Sequence, residues 1–255
     1  MWRARARTAL ERGLRLAETA IAPGGLDAMR TWRPFSLAAF RLVTGLVEEG
    51  LRFTTVLDVG ANAGQFARAC LGVWPEATIV AFEPLPGLAD QLTATLGPIA
   101  RPGRFQAHAV AVGAADGMAA FRPHAHSLSS SALPVATDVR LEPWARELAP
   151  TTVPLRRLDT ALAGRTLAPP VLLKVDVQGL ELDVVAGATE TLGRVDAVLV
   201  ESAFEPQYEG QPPFAAVDAA LAAAGWALQR PLDIRRDGRG RAVEADWLYR
   251  RTGNA

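Results

Sequence analysis

From residue 54 onward, short apolar runs alternate with stretches of helical spacing. The runs at 54–59, 78–83, 105–112, 171–176 and 196–201 are rich in Val, Leu, Ile and Ala, and predict strands. Intervening segments at 63–72, 86–96, 180–192 and 213–224 predict helices, and two further strands at 226–230 and 245–250 close the chain. Strands that are apolar on both faces and separated by helices imply stacked βαβ units, hence an α/β fold on a mostly parallel sheet.

Before residue 54 the pattern is helical. Leu10, Leu14, Ala17 and Ile21 recur every three or four positions among Arg3, Arg5, Arg7, Arg12 and Arg15. This predicts an amphipathic helix over residues 1–22, ended by Pro23-Gly24-Gly25. Its apolar stripe is expected to pack on the domain or on a partner subunit, so the chain admits a homo-oligomer. Weak peripheral association of 1–22 with a membrane surface is the other use of such a stripe. Ser36 then caps a second helix running to Gly50, with Phe40, Val43 and Val47 buried. The chain thus divides into an N-terminal helical extension, 1–50, and one domain, 51–255. Inside that domain, residues 115–170 break the βα rhythm. Asp116-Gly117 reads as a hairpin turn, 127–131 is Ser-rich and prolines punctuate the remainder, as in a segment that covers a substrate.

Composition narrows the function. Lys+Arg and Asp+Glu tie at 27 each, so no overall field selects nucleic acid. No apolar run reaches the ~20 residues of a transmembrane helix, and the Arg-rich start lacks the apolar core of a signal peptide. With a single cysteine, Cys70, no internal disulfide forms, which fits a reducing cytoplasm. A soluble, cytoplasmic enzyme of small molecules is expected.

Val56-Leu57-Asp58-Val59-Gly60-Ala61-Asn62-Ala63-Gly64 is an apolar strand that ends in an acid and runs through a glycine-spaced loop into a helix. Such a loop seats a nucleotide cofactor: Gly60 and Gly64 allow close approach of backbone to ligand, and Asn62 tolerates a left-handed conformation. The Gly-x-Asn-x-Gly spacing differs from the Gly-x-Gly-x-x-Gly that binds a pyrophosphate, which disfavours an NAD-dependent oxidoreductase. Asp58 suits a cofactor that carries an ammonium. Glu83, before Pro84 at the end of the next strand, is placed to meet a ribose diol.

The second unusual stretch is Val171-Leu172-Leu173-Lys174-Val175-Asp176-Val177-Gln178-Gly179-Leu180-Glu181. Strand alternation puts Lys174, Asp176 and Gln178 on one face, whereas a central parallel strand is ordinarily apolar on both. Lys174 is the only lysine in the chain. Lys174, if desolvated, or Asp176 is the candidate catalytic base for a hydroxyl proton; the structural alternative is a Lys174–Asp176 ion pair at the sheet edge. Glu181 in the first helical turn complements the helix dipole. Glu201 closes the fifth strand, and Tyr208 to Gln211 follow in a loop suited to line an acceptor pocket. His124 and His126 lie in the covering segment and are too few for a metal site, so none is expected. The run from Arg235 to Arg241 reads as a solvated turn between the last two strands.

Taken in order, these pieces resemble the FkbM family of class I methyltransferases. The matching residues are Asp58 to Gly64, Phe82-Glu83-Pro84, Ala111-Val112-Gly113, Ser129-Ser130-Ser131, Leu158-Asp159, Lys174 to Glu181, and Glu201 with Tyr208 to Gln211. The resemblance implies a Rossmann-like seven-stranded, mostly parallel sheet with an antiparallel C-terminal hairpin. It implies S-adenosyl-L-methionine as cofactor and O-methylation of a small-molecule or saccharide hydroxyl. On this resemblance Asp58, Gly60, Ala61, Asn62 and Gly64 cradle the methionine part, Glu83 and Pro84 the ribose, and Ala111 the adenine. His126, Ser129, Gln178, Glu201 and Tyr208 face the acceptor. Position 178, often Glu in the family, is Gln here. A non-catalytic partner protein that retains the fold is the remaining alternative.

Overall fold

The computed structural model describes residues 13–14, 16–123, 131–135, 148–236 and 240–253. Helical residues 16–21 lead into α1 (Gly25–Thr31) and α2 (Leu37–Glu48), followed by β1 (Thr55–Val59), α3 (Gln65–Val73), β2 (Thr78–Phe82) and α4 (Leu88–Leu96). Next come β3 (Phe105–His108), β4 (Ala111–Val112), β5 (Gly117–Phe121), β6 (Thr151–Arg156) and the single turn α5 (Leu158–Ala161). The chain ends with β7 (Val171–Val175), α6 (Glu181–Ala186), a 3-10 turn Thr191–Arg194, β8 (Ala197–Ala203), α7 (Phe214–Ala223), β9 (Trp226–Arg236) and β10 (Ala242–Arg251).

Seven strands form the main sheet in the order β3-β2-β1-β7-β8-β10-β9. All neighbours are parallel except β10, which runs antiparallel to both β8 and β9. The last two strands are therefore the expected hairpin, although its second arm enters the sheet between β8 and β9. Residues 237–239 of the Arg235–Arg241 turn lie outside the described residues.

Two apolar layers clamp this sheet. Val56, Ile79, Leu172 and Leu199 meet Phe40, Val43 and Leu46 of α2 and Phe66, Ala67 and Cys70 of α3 on one face. Leu57, Val59, Leu173, Val175 and Val200 meet Leu158 of α5, Val184 of α6, and Val217 and Leu221 of α7 on the other. α2 thus belongs to the main core, although it was expected in a separate extension. Its start is the one the pattern indicates: the Ser36 side chain accepts from Ala39 N at 3.3 Å. Each fully buried Val or Leu contributes roughly 1.5–3 kcal/mol relative to exposure, so α2 is fastened by packing.

The N-terminal stripe faces the other way. Leu14, Ala17 and Ile21 are exposed, while Thr19 between them is buried against the domain. Leu10 and Arg3 to Arg12 lie outside the described residues, as does Arg15.

The covering segment also departs from expectation. The apolar run 105–112 breaks into β3 of the main sheet and β4 of a separate three-stranded sheet, ordered β4-β6-β5. Asp116-Gly117 does turn the chain, but β4 and β5 do not pair with each other; β6 lies between them, parallel to β4 and antiparallel to β5. Similarly, the helix expected over 180–192 stops at Ala186, and the next residue, Gly187, packs so closely on the Gly113 carbonyl that a Cβ would stand 2.0 Å from its oxygen.

Candidate active site

Strand order reverses between β1 and β7, and a cleft opens at the carboxyl ends of strands where this happens. The two strand tips touch through backbone. Asp176 N donates to Val59 O at 3.0 Å, and a Cβ on Gly60 would lie 1.8 Å from the Asp176 carbonyl oxygen. Gly60, with φ of 84°, is required by that approach.

From there the loop folds over the end of β2. Gly60 N and Ala61 N donate to Phe82 O, and Asn62, left-handed at φ 49°, donates its N–H to Glu83 Oε2 at 2.8 Å. Leu85 N donates to Glu83 Oε1 at 2.9 Å, so each carboxylate oxygen carries a backbone donor. Burial raises the Glu83 carboxyl above its ordinary value, partly offset by those two bonds. Gly64 was expected to approach a ligand. Its missing side chain makes room for α4: a Cβ would meet Leu92 Cδ2 at 2.6 Å and Leu96 Cδ1 at 2.8 Å.

The resulting cleft encloses about 570 Å³, counting the open solvent at its mouth. One wall is the loop and strand ends, Val59, Gly60, Asn62, Phe82, Glu83 and Pro84. A second, apolar wall comprises Val110, Ala111, Val112 and Phe121, and the far end is Asp176, Val177, Gln178 and Leu180. Gly60, Asn62, Glu83, Pro84, Ala111, Asp176 and Gln178 are therefore brought together. Asp58, Ala61, Gly64 and Lys174 support the cleft from beneath without lining it. His126 and Ser129, with His124, lie outside the described residues. The cleft thus sets an apolar wall, Val110 to Val112 with Phe121, beside a carboxylate anchored by backbone donors.

Beneath the far end lies a three-membered charge cluster. Lys174 Nζ is 3.1 Å from Asp176 Oδ2 and 3.6 Å from Asp58 Oδ1, and it sits over the Phe66 ring. Burial works against the lysine charge, yet the carboxylates of Asp176 and Asp58 outweigh it and hold the ammonium well above its ordinary value. Lys174 is thereby held as the cation of an ion pair with Asp176 and Asp58, the arrangement of the structural alternative to a lysine base. Asp58 is fully buried, and burial lifts its carboxyl despite the lysine. For Asp176 the balance goes the other way. Burial raises it, but Lys174, Glu201 and Gln178 together hold it below the usual carboxylate range.

Gln178, left-handed at φ 53°, organises the far end of the cleft. Its Nε2 donates to Asp176 Oδ1 at 2.9 Å and to Glu201 Oε2 at 2.6 Å, while Tyr208 Oη donates to its Oε1 at 3.0 Å. Its backbone carbonyl accepts from Ser131 Oγ at 2.6 Å. Glu201 and Tyr208 thereby reach the site through Gln178. Burial first, then the neighbouring Asp176 charge, pushes the Glu201 carboxyl well above its ordinary value. Asp246, opposite Glu201 in the β8–β10 register, is pushed up to about 8 by burial and then by Asp176.

Three residues here have contacts that the sequence reading did not assign to them. Ser131 is fully buried at the Gln178 carbonyl, and only its place in the Ser-rich run pointed to it. Glu181 does more than complement a dipole: its Oε1 accepts from Gly179 N at 2.8 Å, and burial lifts it to about 7. Asp159 accepts from Thr191 N and Oγ, both at 2.8 Å, and so pins the 3-10 turn rather than the site.

A parallel sheet with one antiparallel strand entering next to last, a glycine loop after β1 and an acid ending β2 define a class I methyltransferase fold. Residues 58–227 match the Methyltransferase FkbM domain, and the chain belongs to that family. The 2-O-methyltransferase NoeI of Sinorhizobium fredii (strain NBRC 101917 / NGR234) is 32% identical over 224 residues, which span 85% of this chain and 86% of that one. The hexuronic acid methyltransferase AglP of Haloferax volcanii is 28% identical over 156 residues, 61% of this chain and 59% of that one. Among solved structures, an O-methyltransferase family protein from Burkholderia thailandensis aligns with a TM-score of 0.45 at 14% identity, over 86% of this chain and 58% of that chain. The protein is a methyltransferase, and the oxidoreductase alternative falls away.

Proposed function

We propose that the cleft binds S-adenosyl-L-methionine and that the enzyme methylates a hydroxyl of a saccharide acceptor placed against Asp176 and Gln178. The observation that carries this reading is that Asp176 lines the same cleft as Gly60, Asn62 and Glu83. Glu83 would hold the ribose, Val110, Ala111 and Phe121 the adenine, and the Gly60–Asn62 backbone the methionine part. Bound there, the cofactor supplies an electrophilic methyl group.

The chain supplies orientation and a proton acceptor. Lys174 and Gln178 occupy one side of each Asp176 oxygen, leaving the remaining lone pairs to accept from an acceptor hydroxyl. A carboxylate this acidic is a weak base. It suffices because the hydroxyl oxygen becomes strongly acidic as its new bond to carbon forms. The saccharide class follows from the two relatives, whose names specify a 2-O-methyltransferase and a hexuronic acid methyltransferase.

Isothermal titration with S-adenosylmethionine and S-adenosylhomocysteine, with NADH as control, tests the cofactor. Binding of the two sulfur ligands alone is expected, and binding of NADH alone would overturn the reading. Transfer of labelled methyl to a panel of neutral, amino and uronic sugars then tests the acceptor. Cofactor binding with no transfer to any hydroxylated acceptor would favour a non-catalytic partner protein.

A further inference from the structure

The backbone turns sharply just past β7. Gln178 and Gly179 follow one another at φ 53° and 106°, values that only glycine takes freely. A left-handed glutamine persists only where its surroundings over-determine it. The peptide that joins these two residues is held at both ends. Its carbonyl, on Gln178, accepts from Ser131 Oγ at 2.6 Å, and its N–H, on Gly179, donates to Glu181 Oε1 at 2.8 Å. Both holding side chains are buried, Ser131 at 0% exposure and Glu181 at 2%.

Ser131 is itself fixed from the opposite wall. Its backbone pairs with Arg122, the residue after Phe121, at 2.7 and 3.2 Å, and its hydroxyl accepts from Leu133 N at 3.0 Å. Ala132 packs on the cluster of Ala111, Phe121 and Val153, and Leu133 lies against Gly179, where a Cβ would stand 2.8 Å from its Cδ1. Residues 131–133 therefore join the apolar wall of the cleft to its far end, at the peptide from which Gln178 projects. The Gln178 amide spans Asp176 and Glu201 at 2.9 and 2.6 Å, a bridge that leaves little room for rotation of the backbone beneath it. We infer that Ser131 and Glu181 are positioning residues for methyl transfer, which clamp the Gln178–Gly179 peptide and so hold the Gln178 amide against Asp176. Neither lines the cleft, and their role presupposes Asp176 as the proton acceptor proposed above.

The Gln178 side-chain amide reports the clamp without any ligand. In the full chain grown with isotope-labelled glutamine, its magnetic resonance signal is identified by its loss in Gln178→Ala. Its hydrogen exchange is expected to be about tenfold faster in Ser131→Ala than in wild type. Turnover is read as labelled methyl transfer to the most active sugar of the panel above. Ser131→Ala and Glu181→Ala should each lower kcat roughly tenfold, with the S-adenosylhomocysteine Kd within about twofold of wild type. Glu181→Gln, whose amide oxygen still accepts from Gly179 N, should restore turnover to near the wild-type rate. In a Gln178→Ala background, Ser131→Ala should cost less than about a further twofold, because the group it positions is gone. In Ser131→Ala, an unchanged exchange rate, an unchanged kcat, or a loss of cofactor affinity in step with kcat overturns the assignment. A wild type that binds no S-adenosylhomocysteine would instead overturn the reading of the cleft, while the amide exchange, measured without ligand, still decides the clamp.

Discussion

The Tyr208 hydroxyl donates to Gln178 Oε1 at 3.0 Å, which fixes the amide with its nitrogen toward Asp176 and Glu201. Tyr208→Phe leaves that oxygen without this donor and lets the amide turn its oxygen toward a carboxylate. Loss of one such bond costs about 1–2 kcal/mol, so kcat is expected to fall roughly 5- to 30-fold with the cofactor Kd within about twofold of wild type. Steady-state kinetics beside titration separate the two. An unchanged kcat would mean that Tyr208 does not orient the acceptor side.

Asp176→Asn removes the proton acceptor while keeping its shape. Turnover should drop at least about 100-fold with near-normal S-adenosylhomocysteine affinity. Because Asp176 lies below its ordinary value and Lys174 above its own, kcat/KM is expected to stay level through the neutral range, with no limb from lysine deprotonation. A lysine-like limb would return the base to Lys174. Lys174→Met strands two buried carboxylates and should cost about 3–5 kcal/mol, read as a lost urea midpoint.

Glu181 gives a pH dependence of known sign. Its carboxyl, raised to about 7, keeps a proton that the unfolded chain releases near its ordinary value. Its contribution is complete below that ordinary value and is lost as pH rises toward 7. From pH 5.5 to 8 the loss is about 2 kcal/mol. Urea unfolding at both pH values should show this decline in wild type, and a shallower one in Glu181→Gln, whose amide oxygen still accepts from Gly179 N. Equal slopes would refute the assignment.

Gly64→Ala tests the packing role of the loop glycine. The new methyl meets Leu92 and Leu96 at a residue whose φ is 82°. A cost of about 2–4 kcal/mol is expected, visible as a lowered Tm that saturating S-adenosylhomocysteine only partly restores. An unchanged Tm would show that α4 yields freely.

Much of this architecture was legible because β1, β2, β7 and β8 are apolar on both faces, and polar Lys174, Asp176 and Gln178 stand out against that background. β6 was not legible: Pro154 at its centre reads as a strand breaker, and only its partner strands show that the proline is accommodated. The break between β3 and β4 falls at Ala109-Val110, which carry no turn chemistry. Asp246 was hidden differently. Alternation in β10 looks like any half-solvated strand, and only the sheet order, with β10 beside β8, sets it opposite Glu201. Gly64 stood out in the loop spacing, but its contact with Leu92 and Leu96 of α4 did not, because the neighbour across a glycine is not written in its own segment.

The contact between Gly60 and the Asp176 carbonyl also limits what position 60 can become. With no room for a methyl group between loop and strand tip, any residue other than glycine there would have to part the ends of β1 and β7, so the spacing of the two cleft walls depends on one missing side chain.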